Sequence, residues 1–152
     1  MPETAFGGKG CLVCVLAKRV QDKARSWLKT KYCATVLSHE VEKSFSVLIF
    51  SGVLDPFLQL QIVSAENNIG WLPYYLQSMD RAFERQRISN KLKPSEYFQR
   101  QMWATCIDDF VRVVSRHFIG VDKLMWSSDY AHQASTWPHS REVVARDSKD
   151  AN

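Results

Sequence analysis

The sequence predicts an α/β domain built on parallel strands, and three observations point there. Short apolar runs rich in β-formers alternate with longer segments whose apolar residues recur at helical spacing. Each run opens into a polar turn. The last of them, Leu124-Met125-Trp126, leads through Ser127-Ser128 to Asp129 and then His132, the position after a strand where α/β folds place their chemistry. Alternation of this kind implies parallel strands joined by right-handed crossovers. A turn-capping role for Asp129 is the bland alternative, since Asp is common in turns.

Residues 1–39 carry seven Lys/Arg against two acids, which leaves residues 40–152 at a net charge of −1. The basic character thus belongs to a leading segment. Phosphate binding needs clustered Lys and Arg on the binding face, so nucleic acid is an unlikely partner for the main body. At 152 residues, 45% apolar and 12% aromatic, the chain is long and apolar enough for one domain with a core.

In the leading segment Val13, Leu16, Val20, Ala24, Trp27 and Leu28 recur at helical spacing among basic residues, which predicts a helix that packs one face on its own protein. Cys11 and Cys14 form an isolated Cys-x-x-Cys without a second pair or matched histidines, so free thiols are expected at these positions and at Cys33 and Cys106. Free thiols imply a reducing compartment, with the cytoplasm as the expected location. The apolar run from Cys11 to Ala17 is too short to span a bilayer, which takes about 20 residues.

A second helix is expected from Ser38 through Val41, Phe45, Leu48 and Ile49 to Gly52, before Asp55-Pro56. Leu60 to Ala65 then reads as a strand feeding the turn Glu66-Asn67-Asn68. Leu72, Tyr75, Leu76, Met79 and Phe83 make a core-facing helical stripe with Pro73 in the first turn, and Asp80 to Lys93 reads as a solvated face and loop. Lys93-Pro94-Ser95-Glu96 predicts a brief helical turn, and Gln101 to Ile107 a strand before the cap Asp108-Asp109. The next helix places Phe110, Val113, Val114, His117 and Phe118 on one face and stops at Gly120, with His117 favoured there by the helix dipole rather than by a metal. After the strand Leu124 to Trp126, Ser135-Thr136-Trp137-Pro138 predicts the start of a last helix that runs to about Arg146.

Several blocks of this chain, in order, resemble the carboxyl-terminal part of the amidohydrolase-related family. They are Leu48-Ile49-Phe50-Ser51-Gly52-Val53, Ser64-Ala65-Glu66-Asn67-Asn68-Ile69-Gly70-Trp71-Leu72-Pro73, Ser95-Glu96-Tyr97-Phe98, Ile119-Gly120-Val121-Asp122, Trp126-Ser127-Ser128-Asp129-Tyr130 and Trp137-Pro138-His139-Ser140-Arg141. Those proteins are metal-dependent TIM-barrel hydrolases and decarboxylases, similar to aminocarboxymuconate-semialdehyde decarboxylase. The resemblance implies a partial (β/α)8 barrel made of its last three β/α units, over roughly residues 40–144, with residues 1–39 a non-matching leader. It implies Asp129 as a metal ligand or as the acid/base on a metal-bound water, with zinc the expected metal. It also implies Glu66 after strand six, as a weak ligand or a hydrogen-bonding neighbour, and His132 as a group that orients substrate or holds the loop. The family's His-x-His after its first strand has no counterpart here, and His39 falls in a helix pattern. Ala131 stands where proline is common, and Pro56 and Leu58 look exchanged relative to the usual turn.

The expected function is therefore that of a truncated hydrolase or carboxy-lyase acting on a small organic molecule and inactive alone, with a homo-oligomer as an open option. The alternative is a non-catalytic remnant that associates through its open sheet edge or its basic amino-terminal helix. A redox or zinc module on Cys11 and Cys14 is a third class.

Overall fold

The computed structural model describes residues 29–149, in which three parallel strands form one sheet with helices over a single face. The predicted helix, redox pair and zinc option within residues 1–28 lie outside the described residues.

Helix α1 spans Lys29–Phe50. It begins well before the expected Ser38, because neither Gly nor Pro interrupts residues 29–50 and Ser38 lies inside the helix. Phe45 and Ile49 are buried from it, and the Phe45 ring lies 6.0 Å from that of Trp71 and 6.2 Å from that of Phe98. Gly52, at φ 73°, turns the chain out of the helix, and Asn90 Nδ2 donates to the Ile49 carbonyl (2.7 Å), one of the acceptors a helix end leaves free.

The loop that follows is anchored from below. Tyr97 OH donates to Asp55 Oδ1 (2.6 Å), Arg100 Nη2 to Leu54 O (2.8 Å) and Gln101 Nε2 to Leu60 O (2.9 Å). Burial, with the Asp55 carboxylate as acceptor, pushes the Tyr97 phenol above its usual range. All three anchors come from α3, Pro94–Gln101, which the sequence predicted only as a brief turn. It extends over two turns because its amino end is well satisfied: Lys93 N donates to Glu96 Oε2 (2.7 Å) and Ser95 N to Asp80 Oδ1 (2.9 Å). Asp80 is thus a cap supplied by the neighbouring helix, where the sequence suggested a solvated face.

The strands are β1, Ile62–Ser64, β2, Met102–Cys106, and β3, Leu124–Trp126. They lie in the order β1-β2-β3, with Ile62 opposite Met102 and Ala104 opposite Leu124, all parallel as predicted. On β2 the residues Met102, Ala104 and Cys106 are buried beneath the helices. The alternate positions, Trp103 and Thr105, share the other face with Val63 and Met125, which are exposed. Parallel sheets normally bury both faces, so this bare apolar face marks a sheet with one layer uncovered. Lys123 is buried and sets its Nζ 4.4 Å over the Trp103 ring.

Helix α2, Leu72–Gln86, buries Leu72, Leu76 and Met79 as its stripe predicts. Helix α4 spans Phe110–Ile119, between the cap Asp109 and Gly120 as expected. Of the residues read as sharing one face only Val113 is buried, whereas Phe110, Val114 and Phe118 face solvent. Its inner face is filled by Val113, Ile119 and the half-buried stems of Arg112 and Arg116, so no room remains inside for the aromatic rings. A 3-10 turn, Val121–Lys123, precedes β3, and helix α5 spans Ser140–Ser148. No helix among the described residues is long and apolar enough to cross a membrane.

Candidate functional site

Three loops leave the strands at one end of the sheet, as parallel strands require. The first, after β1, is laid over the end of β2 by a set of hydrogen bonds. Glu66 N donates to Thr105 Oγ1 (2.8 Å), and Ile107 N donates to Asn68 Oδ1 (3.1 Å). Asp109 Oδ2 accepts from both Ile69 N (2.6 Å) and Gly70 N (2.8 Å), while its Oδ1 accepts from Arg112 N (3.1 Å) and so caps α4. Asp109 joins the start of one helix to the loop before another.

Gly70 is required at this junction. A methyl group there would meet Val111 Cβ at 2.8 Å and Asp109 Oδ1 at 3.0 Å, closer than unbonded atoms tolerate. Gly70→Ala is therefore expected to destabilise the fold by about 1–3 kcal/mol, the usual cost of forced overpacking, read as a lower urea midpoint. A midpoint within experimental error of the parent's would refute the close approach.

The loop after β3 is built around Asp129. Ser127 N donates to Cys106 O (2.8 Å), continuing the pairing of β2 with β3, and Trp126 Nε1 donates to Ile107 O (3.0 Å). Beyond this the chain folds on itself: Ser128 O accepts from Thr136 N (3.1 Å) and from Ser135 Oγ (2.8 Å). Ser135 is thereby spent on the loop. This is why α5 starts at Ser140 and not at the expected Pro138. The rings of Tyr130 and Trp137 meet edge to face at 5.9 Å across the loop.

Asp129 is 7% exposed and has φ 54°. Its backbone N donates to Ser127 Oγ (3.3 Å), its carbonyl accepts from His132 N (2.8 Å), and its Oδ2 stands 3.4 Å from His132 Nδ1. The left-handed conformation costs a non-glycine residue roughly 1 kcal/mol or more and persists only where surroundings impose it. Among the described residues four non-glycines adopt it, and three of them, Glu66 (63°), Asn68 (53°) and Asp129, lie on these loops. Such clustering is characteristic of functional sites. The fourth, Arg87, ends helix α2, where the conformation is an ordinary helix termination.

Of the predicted site residues, then, Asp129 and His132 are brought together. His132 is exposed on its other side. Glu66 follows β1 at the same end of the sheet and its side chain is exposed. Chemically the pair offers a buried carboxylate beside an accessible imidazole, able to accept or deliver a proton at the sheet's carboxyl end.

The fit to a metal is incomplete. A catalytic zinc takes about three protein ligands, and among the described residues no group of three His, Cys, Asp or Glu side chains is placed to hold one.

Sequence reasoning missed Asn68 and the double role of Asp109, although Asn tolerates the left-handed region and the Asp108-Asp109 pair was visible as a cap. It also missed a charge network between the sheet and its helices, where Arg112 Nη1 donates to Cys106 Sγ (2.7 Å) and Arg112 Nη2 stands 3.9 Å from the buried Asp147 carboxylate. Burial pushes the Cys106 thiol above its ordinary pKa, with the nearby Arg112 charge opposing the shift. That thiol is structural.

No protein-family model matches the chain, and no curated protein matches it. Solved structures do. The chain is similar to an amidohydrolase from Mycobacterium avium subsp. paratuberculosis K-10, with a TM-score of 0.62 and 22% identity over 74% of this chain. It is also similar to 5-carboxyvanillate decarboxylase from Sphingomonas paucimobilis, with a TM-score of 0.52 and 25% identity over 68% of this chain. The described fold is a three-stranded part of a TIM barrel like those of these two structures. The resemblance read from the sequence blocks therefore stands, as does the α/β class with its parallel strands. The chain spans 29% and 31% of the lengths of these two barrel proteins.

Proposed function

We propose that this chain supplies the last three β/α units of an amidohydrolase-type hydrolase or carboxy-lyase acting on a small organic substrate. The observation that supports this best is Asp129, held buried in a left-handed conformation beside His132 at the carboxyl end of β3. Asp129 is the acid/base group and one anionic donor toward a divalent metal, zinc foremost. His132 holds the Asp129 carboxylate in place, and Glu66 lines the same end of the sheet. Tyr130 and Trp137 border the site on the solvent side.

With one or two donors on offer, the isolated 152-residue chain should bind zinc well below one equivalent after dialysis. It should also turn over neither aromatic carboxylates nor amides. Metal analysis of the purified chain, repeated on Asp129→Asn and on a Cys11→Ser/Cys14→Ser variant, tests this. Turnover that disappears in Asp129→Asn would show that the chain alone completes a site. One full zinc lost in the cysteine variant would move the metal to the leading segment.

The bare sheet face with Val63 and Met125 favours a second reading, in which the chain is a non-catalytic partner of another barrel. Absence of activity when the chain is mixed with a polypeptide carrying the other five units would support that reading over the first.

A further inference from the structure

Helix α5 rests on α4 and is held there by charge more than by apolar packing. Its one buried residue is Asp147, while Val143 and Val144 are only half-buried and Ala145 is exposed. Every other α-helix among the described residues buries at least two apolar side chains. With nine residues, α5 is also shorter than the roughly 12–15 that a helix needs to persist alone in water, so it keeps its form only while docked.

Two ion pairs join α5 to other elements. Arg146 Nη2 binds the Asp108 carboxylate in the loop after β2, and both side chains are more than half exposed, so this pair contributes little. The other pair is buried. Arg112 Nη2 of α4 stands 3.9 Å from Asp147 Oδ2, with the two side chains 12% and 1% exposed. Asp147 Oδ1 accepts from Arg146 Nε (2.9 Å), a neighbour on the same helix, whereas Oδ2 accepts no hydrogen bond. The cost of taking a half-satisfied carboxylate out of water offsets much of what its ion pair contributes, which leaves the docked helix close in free energy to the released one.

The loop before α5 is closed by its own contacts. Ser128 O holds Thr136 N and Ser135 Oγ, and the Trp137 ring meets that of Tyr130. The helix therefore parts from the loop at Pro138 and His139 without disturbing Asp129. We propose that α5 is a releasable strap, clasped by Asp147 on Arg112, that opens as a unit while the sheet, α4 and the Asp129 loop stay folded. Release uncovers the apolar flank of Val113, Leu124 and Trp126, whose grooves are lined on their other side by Val144 of α5. The clasp thus decides whether that flank is covered or presented. It is independent of the catalytic reading.

Native-state amide hydrogen exchange of the full chain provides the test. In the parent, the amides of residues 143–147 should exchange through local opening, with protection about 100-fold or more below that of Met102–Cys106. Arg112→Met leaves the Asp147 charge buried and unpaired, and should lower protection of α5 by a further tenfold or more, roughly, while β2 and the Asp129 amide keep theirs. Arg112→Met combined with Asp147→Leu removes both charges and should return α5 to at least the parent's protection, because an apolar pair can replace a buried ion pair. Asp108→Ala, which removes only the exposed pair, should change it less than about threefold. Protection of α5 equal to that of β2 in the parent, loss of β2 protection together with α5 in Arg112→Met, or a double variant as open as the single one would each overturn the proposal.

Discussion

Phe98→Ala is expected to lower stability by about 3–5 kcal/mol, enough to leave a domain of this size barely folded. Phe98 is fully buried in α3, its ring lies 6.2 Å from that of Phe45 in α1, and it shares one core cluster with Ile49 of α1, Leu72 of α2 and Met102 of β2. No other contact can replace a ring at that crossing, and a cavity would open between three elements. Phe98→Leu, which keeps most of the volume, should lose less than half as much. Chemical denaturation measures both. Near-equal stability of Phe98→Ala and the parent would mean that α1 and α3 are not packed as described.

Part of that core was legible in the sequence. The stripe Leu72, Leu76 and Met79 has the period of a helix and follows from spacing, whereas the alternation of β2 between buried and half-buried positions emerges only in the structure. The direction in which helix α4 turns its apolar residues was not legible, for a physical reason. Spacing shows that its apolar residues share a face, but not which way that face turns, and the long arginine stems of Arg112 and Arg116 compete for the inner side. The amino end of α1 and the cap of α5 failed similarly, since a Ser or Thr read as a cap can equally lie inside a helix or bind a loop carbonyl.

The candidate site was legible in part. Asp129 was reached from its place after an apolar run, and the structure adds what spacing cannot carry: its burial, its left-handed backbone and its pairing with His132. Long-range partners stayed hidden. The bonds from Ile69 N and Gly70 N to Asp109 join residues about forty positions apart, and no local pattern announces them. They matter because they decide where the loop bearing Glu66 and Asn68 sits.

Asp109→Ala is accordingly expected to destabilise the chain by about 2–4 kcal/mol and to loosen that loop selectively. The substitution removes the acceptor for three backbone N–H groups at once. Hydrogen bonds to a charged acceptor contribute about 1.5–3 kcal/mol each, but losses within one network do not add fully, hence the lower total. Ile69 is fully buried, so its N–H cannot simply turn to water. Asp109→Ser separates the two roles: it keeps an acceptor for Arg112 N and should recover about 1 kcal/mol, the value of a helix cap, while the loop remains detached. Amide hydrogen exchange reads this directly. In Asp109→Ser the Ile69 and Gly70 amides should lose protection while that of Arg112 is retained, and parallel behaviour of all three would show that Asp109 acts as a helix cap alone.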